Sequence, residues 1–273
     1  MGSNTQVTQN FEKIKWLENL GRYIANVITL TEFDLRKLWH DSTQIWVRLV
    51  QPVLWLVVFG NALSKFRVIP TGDYSYMQFL TPGVLAQSVM FIAIFYGITV
   101  VWERDLGQLN KLLSTPTARS AIVLGKALSA GVRGIIQAVA VLILAIAMRV
   151  NLNLHPLNLI AVLIIIVLFG MSFASLSICL ASIFKTRERM MGIGQAITMP
   201  LFFASNAIYP VSIMPSWLQY LIKVNPLSYM VDALRFLLLP GYASNFRIDL
   251  LAIVITTVVL VLLASLNFRR IVN

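Results

Sequence analysis

The stretch WERDLGQLNKLLSTPTARS, residues 102–120, is polar and rich in charge, and it separates two long apolar runs at 77–101 and 121–148. Four leucines recur within it at helical spacing, so that one face of a helix would carry Leu106, Leu109, Leu112 and Leu113. The helix should stop before Pro116, because the residue before a proline resists helical geometry. A short helix between two membrane spans is expected to dock onto something outside the membrane.

The composition of the chain is that of an integral membrane protein. Of its 273 residues 58% are hydrophobic and 12% are charged, with a mean hydropathy of +0.78. A soluble domain has roughly 45–50% apolar and about 25% charged residues. The net charge of +11 is therefore attributed to cytoplasmic loops and lipid headgroups, and no nucleic-acid partner is predicted. Cys179 is the single cysteine, which excludes a disulfide within the chain.

The hydropathy pattern predicts an all-α membrane protein with six transmembrane helices. It divides the chain into an N-terminal segment, residues 1–42, and a membrane domain, residues 43–273. The third apolar run is longer than one crossing needs at about 1.5 Å per residue. The predicted spans are residues 43–63, 77–101, 121–148, 157–184, 191–209 and 248–268.

Two amphipathic regions lie outside the predicted spans, one before the first span and one between the fifth and the sixth. The N-terminal segment is basic, contains Trp16 and Trp39, and is predicted to form a helix that lies flat on the membrane surface. A helix packed on other protein is the alternative. Residues 210–247 are punctuated by prolines, and they predict two short external or re-entrant helices at 216–224 and 227–239, which are too short to cross.

Basic residues indicate the orientation of the chain. Six crossings place both termini on one side, and most of the 22 Lys and Arg residues fall on that side. This bias predicts cytoplasmic termini and a cytoplasmic 102–120 stretch. The basic residues assigned to the other side are Lys65, Arg67, Arg149, Lys223, Arg235 and Arg247.

Few side chains within the spans are of the types that couple ions, bind metals or catalyse reactions. The acidic residues lie in loops or at span ends, which argues against a proton- or sodium-coupled carrier. His40 and His155 lie far apart and make no metal set with Cys179, so no metal site and no catalytic residue is predicted. Gly125-Lys126 lacks the upstream glycine of a phosphate-binding loop. The chain is therefore predicted not to be an enzyme and to have no ATPase site of its own.

Two features of the spans concern helix packing. Lys126 and Arg133 lie seven residues apart and share one helix face. We interpret them as snorkelling or protein-facing side chains near the interface, with a substrate-pathway role for Arg133 as the alternative. The fourth span carries a stripe of small residues that predicts close helix contact, namely Gly170, Ala174, Ser177 and Ala181.

The polar stretch also carries a motif. Its residues Glu103-Arg104-Asp105-Leu106-Gly107, Leu109, Leu112-Leu113, Thr115-Pro116 and Arg119 resemble the cytoplasmic signature of type-2 ABC exporter permeases. A second block is similar to the fifth span and external helices of that family, with Tyr209-Pro210, Asn225-Pro226-Leu227-Ser228-Tyr229 and Asp232-Ala233-Leu234-Arg235. The motifs follow the family's order, and the six-span permease domain covers nearly the whole chain.

This resemblance implies a function. The family's permeases work as dimers with two cytoplasmic ATPase subunits, so the expected partners are two ATPase copies, a second permease copy (a homodimer) and membrane lipids. ATP and Mg would bind to the ATPase, and this chain would hold no cofactor. Family substrates include amphipathic drugs, lipids, lipo-oligosaccharides and polysaccharides. The chain is also similar to permeases of cyanobacteria and some plastids, which implies a bacterial or plastid inner or plasma membrane.

The resemblance also implies residue roles. It identifies 102–120 as the coupling helix, with Glu103, Arg104, Asp105, Leu106, Gly107, Leu109, Leu112, Leu113, Pro116 and Arg119 as coupling residues. Candidate pathway residues are Arg133, Phe202, Asn206 and Tyr209, and those of the external helices are Asn225, Pro226, Tyr229 and Arg235. Gln108, Asn110 and Asn206 depart from the family pattern; Asn206 lines the pathway or bonds a neighbouring helix. An ion-coupled secondary transporter and a non-transporting membrane scaffold remain the alternative functions.

Overall fold

The computed structural model describes residues 2–40, 43–66, 70–115, 117–184, 186–268 and 271, and this part of the chain contains no β-strand. The all-α prediction is confirmed. The α-helices are α1 Gly2–His40, α2 Thr43–Val53, α3 Asn61–Phe66, α4 Tyr76–Asp105, α5 Gln108–Leu113, α6 Arg119–Ala147, α7 Pro156–Ile183, α8 Arg187–Phe203, α9 Ser216–Val224, α10 Pro226–Leu238 and α11 Phe246–Asn267.

Five helical stretches within the described residues are long and apolar enough to cross a membrane. They are Val47–Ser64, Tyr76–Asp105, Arg119–Ala147, Pro156–Ile183 and Phe246–Asn267. The remaining predicted crossing corresponds to α8, which has 17 residues and extends about 26 Å at 1.5 Å per residue. A sixth crossing therefore stays a prediction.

The fourth helix forms the centre of the bundle. Every residue from 79 to 90 is buried, and α4 packs against α6, α7, α8 and α10. The first span, by contrast, is mostly exposed at the edge of the bundle. Movement of α4 would consequently disturb most of the core, whereas the first span is free to contact lipid or another chain.

A proline interrupts the regular helix of the first span. Pro52 lies inside α2, and the chain from Leu54 to Gly60 winds as a π-helix before α3 begins. Proline removes one backbone donor and clashes with the preceding turn, so the regular hydrogen-bond ladder cannot continue through it. The first span is thus built from three helical segments rather than from one regular helix.

The stretch at 102–120 differs from its prediction. The long helix α4 continues to Asp105, and Gly107, with φ of 70°, ends the α-helical path before α5 begins. The helix α5 has six residues only. Leu106 is 65% exposed, whereas Leu109 is fully buried. The predictions of one continuous helix and of one shared leucine face are therefore wrong, because a left-handed glycine changes the chain direction between these two leucines.

The predicted end of the fifth span is also wrong. The helix α8 ends at Phe203, six residues before Tyr209. The Asn225 amide donates to the carbonyl of Ala204 at 2.8 Å, and the Arg235 guanidinium donates to that of Asn206 at 2.7 Å. These side chains hold the backbone after α8 in a turn. The two short helices predicted at 216–224 and 227–239, in contrast, correspond to α9 and α10 to within one residue, while their external position stays a prediction.

The stripe of small residues on α7 permits close packing, as predicted. A Cβ atom at Gly170 would lie 2.8 Å from the Cα atom of Gly131 on α6. Ser177 lies seven residues further along the same face of α7. It contacts Gly97 on α4 and donates a hydrogen bond to the carbonyl of Ile94. Small residues at these positions let three helices approach at backbone distance.

Substitution of Gly170 by alanine should therefore destabilise the protein. The added methyl group meets backbone rather than a flexible side chain, and overpacking of this kind costs about 1–3 kcal/mol. We expect Gly170→Ala to lower the thermal midpoint of the detergent-solubilised protein. Gly192→Ala is the matched control, because nothing lies within 4 Å of the corresponding Cβ position. Equal midpoints for Gly170→Ala and the wild type would contradict the packing described.

Candidate functional site

The helix α1 packs along α6 and brings its polar face to the bundle. Thr31 donates a hydrogen bond to the carbonyl of Gly125 at 3.1 Å, and Tyr23 donates to the Ser120 hydroxyl at 3.1 Å. The face that points inward is spaced at three and four residues, as Thr31, Asp34 and Leu38. A second apolar face stays exposed and contains Leu20, Ile24 and Ile28. The helix thus contacts protein on one side and leaves the other side available to the membrane surface.

Four charged side chains meet where α1, α4 and α6 converge. We call Asp34, Lys37, Glu103 and Lys126 the ion-pair cluster. Lys126 binds Glu103 directly and lies 3.5 Å from Asp34. Lys37 lies 2.9 Å from Glu103 and 3.7 Å from Asp34. The Lys126 side chain is only 2% exposed, so its charge depends on these carboxylates.

Two further side chains extend the ion-pair cluster into the bundle. The Tyr96 hydroxyl of α4 donates to the Asp34 carboxylate, and the Arg133 guanidinium of α6 donates to the Asp34 backbone carbonyl at 2.7 Å. Arg133 also lies 5.0 Å from the centre of the Tyr96 ring, within range of a cation–π contact. Each of the three helices therefore contributes charge or hydrogen bonds to the same point.

The predicted coupling residues separate into inward and outward groups. Glu103 faces inward, and Leu109 packs against Ile122 and Phe268 in a small apolar core. Leu106 and Arg119 are exposed. Leu112 and Leu113 are half-buried, Gly107 supplies the break between α4 and α5, and Pro116 lies outside the described residues.

Of the remaining two coupling residues, Asp105 contacts the start of α8 and Arg104 pairs with Asp105. Arg104 lies 2.9 Å from Asp105, which in turn lies 3.3 Å from Arg187. The Arg187 guanidinium stacks at 4.6 Å over the ring of Trp102. These contacts fix the end of α4 against α8 on the side away from α1.

A second buried polar group lies far from the ion-pair cluster. Arg235 of α10 is 1% exposed, and it donates to the carbonyl oxygens of Asn206 and Phe79. The Asn206 amide donates to Asp232 at 2.7 Å, which supports the interpretation of Asn206 as a residue that bonds a neighbouring helix. Burial raises the pKa of the Asp232 carboxyl above its usual value, and Arg235 opposes that rise.

The other predicted residues at this end have structural contacts. Asn225 caps α10 by accepting a hydrogen bond from the Leu227 amide, and Pro226 follows at the first helical position, where a missing N–H costs nothing. Tyr229 and Tyr209 donate their hydroxyl protons to backbone carbonyls. Phe202 is fully buried, with its ring centre 5.2 Å from that of Trp55.

The four candidate pathway residues do not meet in this chain. Arg133 packs against Tyr96, whereas Asn206 lies beside the Arg235 side chain that contacts Phe79. Tyr96 and Phe79 are separated along α4 by about 26 Å, at 1.5 Å per residue. Arg133 and the group around Asn206 are thus two separate sites at opposite ends of the central helix.

These observations describe a multi-pass helical membrane protein whose loop between two central helices is held by buried ion pairs. Residues 25–239 match the model of the family described as ABC-2 type transporter. The chain belongs to this family. It is accordingly a membrane permease subunit of an ABC transporter, and the family implies a partner subunit that carries the ATPase activity.

Individual relatives agree with the family assignment. The chain is 29% identical to the transport permease ycf38 of Cyanophora paradoxa, covering 69% of this chain and 66% of the relative. It is 27% identical to the inner membrane transport permease YadH of Escherichia coli strain K12, covering 74% and 81%. It is 23% identical to the daunorubicin resistance ABC transporter permease protein DrrB1 of Streptomyces coeruleorubidus, covering 77% and 76%.

Three residues in or beside the ion-pair cluster were not predicted from the sequence. Asp34, Lys37 and Tyr96 were not singled out, because their importance comes from contacts between distant parts of the chain. One signal was available: Asp34 lies three residues after Thr31 and four before Leu38, so an acidic side chain shares a helix face with an apolar one.

Loss of the central lysine should destabilise the permease. Lys126→Met leaves Asp34 and Glu103 buried with Lys37 alone, and breaking a buried pair costs about 3–5 kcal/mol. We expect a clear fall in the thermal midpoint in detergent, partly reversed when Glu103→Gln is added. Lys111→Met, on the exposed side of α5, is the charge-matched control and should melt like the wild type. A wild-type midpoint for Lys126→Met would show that the ion-pair cluster does not hold these helices.

Proposed function

We propose that this permease subunit belongs to an exporter that moves an amphipathic, lipid-linked or glycan substrate out of the cytoplasm or the inner leaflet. Hydrolysis of ATP in a separate subunit would drive the transport. The spans offer mostly apolar walls, which suit a substrate with an apolar part. The name of one relative, a daunorubicin resistance permease, supports a small amphipathic substrate within this range.

The proposed assembly contains two copies of the permease and two copies of the ATPase. ATP and Mg would bind to the ATPase subunits. Both termini and residues 102–120 would lie in the cytoplasm of a bacterium, or on the equivalent side of a plastid membrane. The excess of Lys and Arg on that side supports this orientation.

One observation carries the coupling part of the proposal: an exposed turn joins two anchored helices. Residues 106–115, which we call the docking segment, leave Leu106, Asn110 and Lys111 exposed at the end of α4. The ion-pair cluster ties α4 and α6 to α1 immediately beside it. Force from an ATPase on the docking segment would therefore tilt these helices together rather than bend the loop.

The docking segment can be tested without disturbing the fold. Leu106→Asp changes a side chain that is 65% exposed, so the permease should keep its thermal midpoint. A charge in an apolar contact should weaken binding of the ATPase about tenfold or more, since desolvating an unpaired carboxylate costs more than about 1.4 kcal/mol. The measurements are copurification of the ATPase and its substrate-stimulated activity in proteoliposomes.

A matched control separates position from charge. Asn110→Asp adds the same negative charge to another exposed site of the docking segment, and it should leave coupling near the wild-type level. Glu103→Ala is less informative alone, because Glu103 is buried in the ion-pair cluster and its loss should also reduce stability. Wild-type ATPase coupling in Leu106→Asp, or transport that a pH gradient drives without ATP, would contradict the proposal.

A further inference from the structure

Three adjoining cavities lie between α1, the first span, α4 and α6. The largest measures about 280 Å³ and is lined by Arg48, Gln51 and Ser88 together with apolar side chains. A small cavity of about 30 Å³ shares Arg48 with it and is also lined by Arg133. A third, of about 110 Å³, shares Arg133 and reaches the ion-pair cluster. Two arginines thus line the small cavity between the two larger ones.

The charges around these cavities do not balance. Within the described residues, the carboxylates that line them or belong to the ion-pair cluster are those of Asp34 and Glu103. Both carboxylates already have lysines of the cluster beside them: Glu103 is bound by Lys37 and Lys126, and the same two lysines lie 3.7 and 3.5 Å from Asp34. Four cationic side chains therefore face two carboxylates, and no described residue supplies a further anion for Arg48 and Arg133. Partly buried charge of this kind is costly unless it is paired.

Unused hydrogen-bonding atoms mark the same place. The Nε atom of Arg133 is buried and has no hydrogen-bond partner. Gln137 is 2% exposed and lines the small cavity, with its Oε1 atom unpartnered and its Nε2 atom 3.4 Å from the carbonyl of Arg48. No ion pair within the described part of the chain involves the Arg48 guanidinium. In the described part of the chain one donor of Arg133 and the acceptor of Gln137 are thus without a partner, beside the unpaired charge of Arg48.

We propose that Arg48 and Arg133 bind the phosphate of an anionic lipid headgroup. A guanidinium presents a planar set of donors that matches phosphate oxygens, and basic pockets between membrane helices suit lipid headgroups. The largest cavity adds apolar surface from Ile92, Phe91 and Phe95, which a free phosphate ion would not use but an acyl chain would. Arg48 is the second residue of the first span, so the site opens at a membrane-facing helix.

The site is independent of the proposed export function, because lipid binding by this chain needs neither ATP nor a partner subunit. The lipid phosphodiester would supply one negative charge, shared by the two arginines, and would join the exposed first span to α6. A lipid bound there would also lie beside Tyr96 and Asp34, and hence beside the ion-pair cluster.

Binding is measured with the full-length chain in dodecyl maltoside. Phosphatidylglycerol is titrated, and the bound lipid is followed by native mass spectrometry and by the rise in thermal midpoint. Two further titrations use diacylglycerol with the same acyl chains and inorganic phosphate alone. We expect saturable binding and stabilisation with phosphatidylglycerol, and at least tenfold weaker effects with the other two compounds.

Arg48→Gln is the main variant. Loss of one charge-assisted contact should weaken phosphatidylglycerol binding about tenfold to a hundredfold. Without lipid its thermal midpoint should equal or exceed that of the wild type, because an unpaired charge is removed. Arg133→Lys keeps the charge but loses the planar donor set, and it should also bind more weakly. Arg36→Gln is the control for general surface charge, since its side chain is 74% exposed on α1.

Three results would overturn the proposal. Phosphatidylglycerol binding by Arg48→Gln equal to that of the wild type would remove the role of the arginine. Equal binding of diacylglycerol would show that acyl chains alone fill the cavity, and equal stabilisation by inorganic phosphate would show a site for a free anion. A lower midpoint of Arg48→Gln without lipid would show that its charge is satisfied within the protein.

Discussion

A buried charge needs an opposite charge beside it, and Lys126 shows how far this requirement shapes the molecule. Its ammonium group is almost inaccessible to water, and its two carboxylate partners come from separate helices. Asp34 can reach it only if α1 lies along α6, and Glu103 can reach it only if α4 stays helical beyond its apolar run. The position of α1, the length of α4 and the location of the docking segment therefore all follow from one side chain.

The central helix α4 connects this site with the opposite end of the bundle. Near its start, the carbonyl of Phe79 accepts a hydrogen bond from the buried Arg235, which also holds the turn after α8. Near its end, Glu103 binds Lys126. Between them the helix is enclosed by apolar side chains and by close contacts at glycine positions. A rigid rod fixed by polar contacts at both ends is suited to carry a displacement across a membrane, because its packed middle resists bending.

Local sequence patterns predicted the features that depend on local chemistry. Apolar runs gave the helical spans, and the prolines within residues 210–247 marked two short helices, the second of which has Pro226 at its first position. The local pattern gave wrong helix boundaries where contacts between distant residues determine the path of the backbone. Helical spacing did not reveal the break at Gly107, and the apolar run after Met191 did not reveal that α8 stops at Phe203. For the site, Glu103 and Lys126 were visible as charges, but Asp34, the second carboxylate beside Lys126, required the tertiary structure.

The left-handed backbone at Gly107 has a consequence for the design of variants. Most substitutions that raise helix propensity are expected to stabilise a helical protein, and a glycine between two helices is an obvious target. Here an alanine would favour one uninterrupted rod from α4 into α5 and would swing Leu109 away from the apolar core that now holds it. A sequence optimised residue by residue for helicity would thus lose the turn that separates α4 from α5. The low helix propensity of glycine at position 107 is therefore what permits the turn between α4 and α5.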